Sequence, residues 1–181
     1  MRSCVVACLS FLLIVPTSAA EKTHFTSKYH QVSAQIPYGW DQVQGVRGNT
    51  VLKLARTGPR EQRARVAIVF DSIPEGRIAR GFDIWNMTDE EIRKAESKPF
   101  YGEPVTLLNY GRGGIDGFHF VWSKTKVLMP SKIMLWRFTY SGIRDQTAIT
   151  IRLTTYGDEE WFNANQAVFA DFVRKLKLSR I

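Results

Sequence analysis

Cysteine is almost missing from this chain. It occurs twice, as Cys4 and Cys8, both inside an apolar N-terminal run, and nothing beyond residue 20 carries a thiol. That excludes disulfides, cysteine-ligated metals and thiol nucleophiles from everything downstream. Histidine is scarce too, with only His24, His30 and His119, and none has the helical HxxxH spacing of a metal site. No apolar run approaches the roughly 20 residues of a transmembrane helix, so no membrane anchor is predicted. No G-x-S-x-G elbow, G-x-G-x-x-G fingerprint or Walker A loop occurs. Neither a nucleophile, a metal set nor an acid–base pair announces itself, and no cofactor is predicted.

The N-terminus itself is organised. Met1-Arg2-Ser3 is a short positive start, residues 4–15 are almost unbroken apolar sequence, and Pro16-Thr17-Ser18-Ala19-Ala20 ends the run with small residues. Residues 1–20 therefore read as a secretory signal peptide, with Ser18 and Ala20 suited to the peptidase pockets and cleavage between Ala20 and Glu21. Val5-Val6-Ala7-Cys8 has the look of a lipoprotein box, but its apolar stretch follows the cysteine instead of preceding it. The expected location is periplasmic or extracellular, with residues 21–181 forming one globular domain. The whole chain has 25 basic and 17 acidic residues; Arg2 leaves with the signal, so the remainder carries about +7. Such a surface favours acidic proteins or anionic headgroups. Export argues against nucleic acid as a partner.

Periodicity gives the rest of the architecture. Residues 32–36 and 50–54 alternate as strands, and residues 65–70 are apolar enough for a central strand. Thr88-Asp89-Glu90-Glu91 is a capping box that opens a helix ending near Ser97, before Pro99. Its three acids match the helix dipole and are not read as a metal cluster. A strand at 104–110 is followed by glycines 111, 113, 114 and 117, which read as a turn. Phe118, Phe120 and Trp122 share one face of the next strand, and Met134, Trp136, Phe138 and Tyr140 one face of another. Residues 141–145 read as a hairpin turn before a last strand, Thr147–Tyr156. The chain closes with an amphipathic helix over 158–176, acidic at its start and basic at its end. The fold class is α+β: an α/β/α sandwich with a twisted, mainly antiparallel sheet and a long C-terminal helix. Trp40, Trp85, Trp122, Trp136 and Trp161 supply its core, or else the wall of an apolar cavity between helix and sheet.

Four side chains are not needed for the turn that carries them. Between two strands lies Arg56-Thr57-Gly58-Pro59-Arg60-Glu61-Gln62-Arg63-Ala64-Arg65, where Gly58-Pro59 already supply the turn. Arg56, Arg60, Arg63 and Arg65 crowd one hairpin tip, and guanidinium forks suit carboxylates and phosphates.

The entry Gln35-Ile36-Pro37-Tyr38-Gly39-Trp40 and the closing 169–178 segment, FADFVRKLKL, resemble the PsbP-like and DcrB-like proteins. The resemblance covers nearly all of the chain after residue 20. It implies an α/β/α sandwich and membership of a mostly non-catalytic group of extrinsic subunits, assembly factors and envelope proteins. That group shares no catalytic motif, so it assigns no site residue. The expected function is non-enzymatic binding or assembly of an envelope or extracytoplasmic partner; the alternative is a carrier of a small apolar ligand.

Two outcomes follow. Mass spectrometry of the secreted protein should find Glu21 as its first residue, and an acylated Cys8 would contradict this. Thermal melts should coincide with and without reductant or EDTA, whereas a fall of several degrees with EDTA would reveal a metal site.

Overall fold

The computed structural model describes residues 23–45, 47–59, 62–74 and 86–178. The signal segment, the Ala20–Glu21 junction, Arg60 and Trp85 lie outside them. Nine strands and two helices are described: β1 (His24–Ser27), β2 (Val32–Gln35), β3 (Asp41–Gln42), β4 (Thr50–Thr57), β5 (Arg63–Ser72), α1 (Asp89–Glu96), β6 (Thr106–Ile115), β7 (Phe118–Leu128), β8 (Met134–Arg144), β9 (Thr147–Tyr156) and α2 (Glu159–Lys175). Seven strands form one antiparallel sheet in the order β3-β4-β5-β9-β8-β7-β6. β1 and β2 form a separate hairpin. The sheet thus unites a β4–β5 hairpin with a β6-to-β9 meander through the β5–β9 ladder.

The two faces of the sheet meet different helices, as their side-chain alternation dictates. Leu52, Leu54, Val66, Ile68, Phe138, Ile149, Ile151 and Leu153 are buried towards α2. α2 returns Trp161, Phe162, Phe169, Phe172 and Val173. Phe162 stacks on Trp136 with ring centres 5.4 Å apart, and Phe169 meets Phe138 edge-on at 5.9 Å. Cations close the rim of this layer: Arg56 lies over Trp161, Lys124 over Phe162 and Lys126 over Trp136. Asp158 caps α2 by accepting the Trp161 amide proton at 2.8 Å. On the opposite face α1 packs Ile92 against Val121, with Met87 and Tyr110 at the margin. Its capping box is formed as the sequence specifies, with Thr88 Oγ1 accepting from the Glu91 amide at 3.2 Å and Glu91 accepting from the Thr88 amide at 2.7 Å. The class is the expected α+β sandwich.

The structure corrects the glycine-rich segment. Gly111, Gly113 and Gly114 are not a turn but the last part of β6, which runs on to Ile115. Only Asp116 and Gly117 turn, at φ of 50° and 83°. Gly111 pairs with Trp122, and a Cβ there would come within 2.7 Å of the indole, so the absent side chain makes room for a ring. The turn predicted at 141–145 contracts for the same reason. β8 extends to Arg144, because Gly142 sits under Phe120 within the strand. The N-terminal stretch holding His24 and His30 is the β1–β2 hairpin, seated by Val32 and Ala34 in the core.

A Cβ on Gly142 would meet the Phe120 ring at 2.7 Å and the fixed His119 carbonyl at 2.8 Å. Gly142→Ala should therefore lower stability by about 2 kcal/mol, within the range for overpacking. Gly48→Ala, where the added carbon has open space, should stay within about 0.5 kcal/mol of wild type. Urea denaturation compares the two; equal midpoints would refute the socket reading.

Candidate binding face

The arginines that the sequence groups on one hairpin tip are divided by the pleat of the strands. Arg56 pairs across the ladder with fully buried Ala64 and so belongs to the α2 face. Its guanidinium lies 5.5 Å from the Trp161 ring centre. Arg63 and Arg65 pair with Thr57 and Ala55 and point to the other face, where Arg65 reaches the Tyr156 ring at 5.9 Å. The single four-arginine cluster is thus corrected: Arg56 stands apart from Arg63 and Arg65, and Arg60 lies outside the described residues. The register decides this: with Arg56 opposite Ala64, the two-residue side-chain period sends Arg63 and Arg65 to the other face.

On the α2 side of the tip Arg56 shares the surface with the acids that open α2. Gln62 Nε2 donates to Asp158 at 2.8 Å, and Pro59, Gln62, Asp158, Glu160, Trp161 and Ala164 line an open cleft of about 350 Å³. Gly58 lies so close to Trp161 that a Cβ would fall 2.3 Å from the indole, which fixes the tip against α2. This side offers little to an anion.

The opposite face is basic. Across neighbouring strands one row reads Asp41, Ala55, Arg65, Thr154, Arg137, and the next reads Lys53, Ala67, Arg152, Thr139, Ser123. Arg137 and Arg152 are therefore diagonal neighbours on adjoining central strands, and the sequence reading passed over both. Their signal was present: one charge between core residues in Leu135-Trp136-Arg137-Phe138 and in Ile151-Arg152-Leu153. Arg137 lies over Phe100 at 4.5 Å, and Arg152 Nε donates to Thr139 Oγ1 at 3.2 Å. Burial pushes both guanidiniums below their ordinary pKa, and Arg152 lowers Arg137 further, while the Glu96 carboxylate at the end of α1 acts the other way. Glu96 accepts a hydrogen bond from Ser123 Oγ at 2.6 Å. Among the described residues no carboxylate comes within 4.0 Å of either guanidinium.

The other titratable groups are accounted for locally. His24 Nε2 lies 3.3 Å from Ser33 Oγ. His30 packs edge-on to Phe70, and its pKa is lowered first by burial and then by Arg144. His119 is exposed on β7. Asp89 pairs with Arg112 at 3.1 Å and Glu91 serves the capping box. Among the described residues no three His, Cys, Asp or Glu side chains gather as metal ligands, and no helix is long and apolar enough to cross a membrane.

No protein-family model matches the sequence, and neither does any curated protein. Solved structures do match the fold. The solution structure of cyanobacterial PsbP from Synechocystis sp. PCC 6803 aligns with a TM-score of 0.57 at 12% identity, over 86% of this chain and 91% of that one. LpqN of Mycobacterium tuberculosis, described as involved in cell envelope biogenesis, aligns at 0.52 with 7% identity, over 81% and 82%. The Saccharomyces cerevisiae Ran-binding protein Mog1p aligns at 0.53 with 9% identity, over 86% and 94%. At such identities what is shared is the path of the backbone, and the chain has the PsbP-like fold.

Proposed function

We propose that the chain is a non-enzymatic exported protein that docks on an envelope or extracytoplasmic partner and helps to assemble it. The observation that carries this reading is the chemical difference between the two sheet faces. One is closed by α2 and its aromatic rings. The other presents Lys53, Arg63, Arg65, Arg137 and Arg152, with Asp41 at its outer edge and Asp71 bonded to Asn49. The names of LpqN and Mog1p, which speak of envelope biogenesis and of binding another protein, agree with a docking role. Export rests on residues 1–20, and periplasmic or extracellular location rests on export.

The apolar-carrier reading is less well supported. Phe162, Phe169 and Phe172 are almost wholly buried between helix and sheet, so a ligand there would have to displace them. An enzyme would need convergent reactive groups, and the acids Asp89, Glu91 and Asp158 are taken up by an ion pair and two helix caps.

The partner's contact chemistry is acidic, whether a carboxylate-bearing protein surface or anionic headgroups. Arg63→Glu with Arg65→Glu should leave the melting temperature within a few degrees. It should also release the protein from polyglutamate resin and from phosphatidylglycerol vesicles at lower salt than wild type. A control of equal charge, Lys28→Glu with Lys132→Glu, reverses exposed turn lysines away from the face. The control should elute later than the face mutant; equal elution of the two would refute a localised docking face.

A further inference from the structure

The basic face contains a recessed feature that a general docking role does not require. Arg137 and Arg152 occupy the middle of the two central strands, side by side and partly buried. Two like charges withdrawn from water repel each other, and each loses hydration that no carboxylate of the described residues restores at ion-pair distance. Buried cations without such a partner are costly unless something of opposite charge occupies the site.

The orientation of the groups shows what that something is. The Arg137 guanidinium lies over the Phe100 ring, 4.5 Å from its centre, and its nitrogens make no side-chain hydrogen bond to another described residue. Thr139 holds Arg152 by its Nε, which leaves both terminal nitrogens of that fork for a ligand. Arg65 stands in the same row as Arg137, one strand beyond Thr154, whose hydroxyl lies on the same face. Three guanidiniums and the one carboxylate of Glu96 leave a local charge of about +2. A guanidinium fork binds planar pairs of oxygens, and two forks with this surplus match a doubly charged tetrahedral oxyanion better than a single carboxylate.

We propose that Arg137 and Arg152, flanked by Arg65, Thr139 and Thr154, form a binding site for the phosphate group of a phosphomonoester. The same chemistry is offered by a soluble phosphorylated compound and by the headgroup of phosphatidic acid. This inference rests on the Arg137–Arg152 pair and not on the docking function of the face.

The test uses inorganic phosphate as its probe. Millimolar phosphate should raise the wild-type melting temperature above that in chloride of equal ionic strength. Arg137→Gln should abolish this increment, and should melt no lower than wild type in phosphate-free buffer because one uncompensated cation is gone. Arg137→Lys retains the charge but loses the fork, and should weaken phosphate binding at least about tenfold by calorimetry. Arg63→Gln, on the same face but outside the site, should keep the full increment. Absence of a phosphate increment in wild type, or its survival in Arg137→Gln, overturns the proposal. Vesicle co-sedimentation then assigns the source. Retention on phosphatidic acid that Arg137→Gln abolishes identifies the lipid headgroup; phosphate binding without such retention identifies a soluble compound. A Lys53→Glu, Arg63→Glu protein, changed on the same face but at neither a site guanidinium nor a site hydroxyl, separates this site from the docking face, since loss of docking with phosphate stabilisation intact would leave the site standing.

Discussion

The structure depends above all on one pairing, the ten-residue ladder between β5 and β9. It runs from Arg63 opposite Tyr156 to Ser72 opposite Thr147, joining residues far apart in the chain. Without it the β3-β4-β5 strands and the β6-to-β9 meander would be two separate sheets, each with an additional open edge. Closing so long a loop is entropically unfavourable, and the ladder's hydrogen bonds only exchange for those with water. The compensation comes from α2, which lies across the joint and packs on β9, β5 and β8 together with β2. Its wide apolar stripe is needed because it must cover both halves.

Much of this was legible beforehand, and what was missed has a physical pattern. The capping box at Thr88 and Glu91 and the span of α2 were readable because helix signals are local: caps, charges and a repeat near 3.6. Strand existence was readable from alternation in 32–36, 50–54 and Thr147–Tyr156. Glycine was not. Gly111 and Gly142 look like turn residues in sequence, yet each faces an aromatic ring on the neighbouring strand, and that pairing depends on a register no single segment reveals. The arginines failed for a related reason. Proximity in sequence suggested that Arg56 and Arg65 act together, whereas pleating sends them to opposite faces. Arg137 and Arg152, 15 positions apart in the chain, are neighbours only once β8 and β9 are paired.

The two faces thereby differ in chemistry. The α2 face spends its apolar area and even its cations on packing, with Arg56, Lys124 and Lys126 lying over rings. Among the described residues α1 covers the β6–β7 side of the other face and Phe100 lies on Arg137, while the central strands keep polar and basic residues where a buried sheet would carry valine or isoleucine. Such residues weaken the sheet's own cohesion, which fits a surface retained for contact with something charged.

The few residues after α2 carry a consequence of their own. Lys177 exchanges two backbone hydrogen bonds with Ser33, at 3.0 and 2.9 Å. The Leu178 amide donates to Asp116 in the β6–β7 turn at 2.7 Å, and its carbonyl accepts from Arg144 at the end of β8. Arg144 also donates to the His30 carbonyl at 2.8 Å and lies over Phe70 and Phe118. Strands distant in sequence are thus buckled together at one short tail. A buckle of this kind forms only after all its attachment points are in place, so its bonds are absent from an early folding nucleus. Interactions made that late slow the escape from the native state and do little to hasten arrival there. The tail is accordingly expected to act as a brake on unfolding.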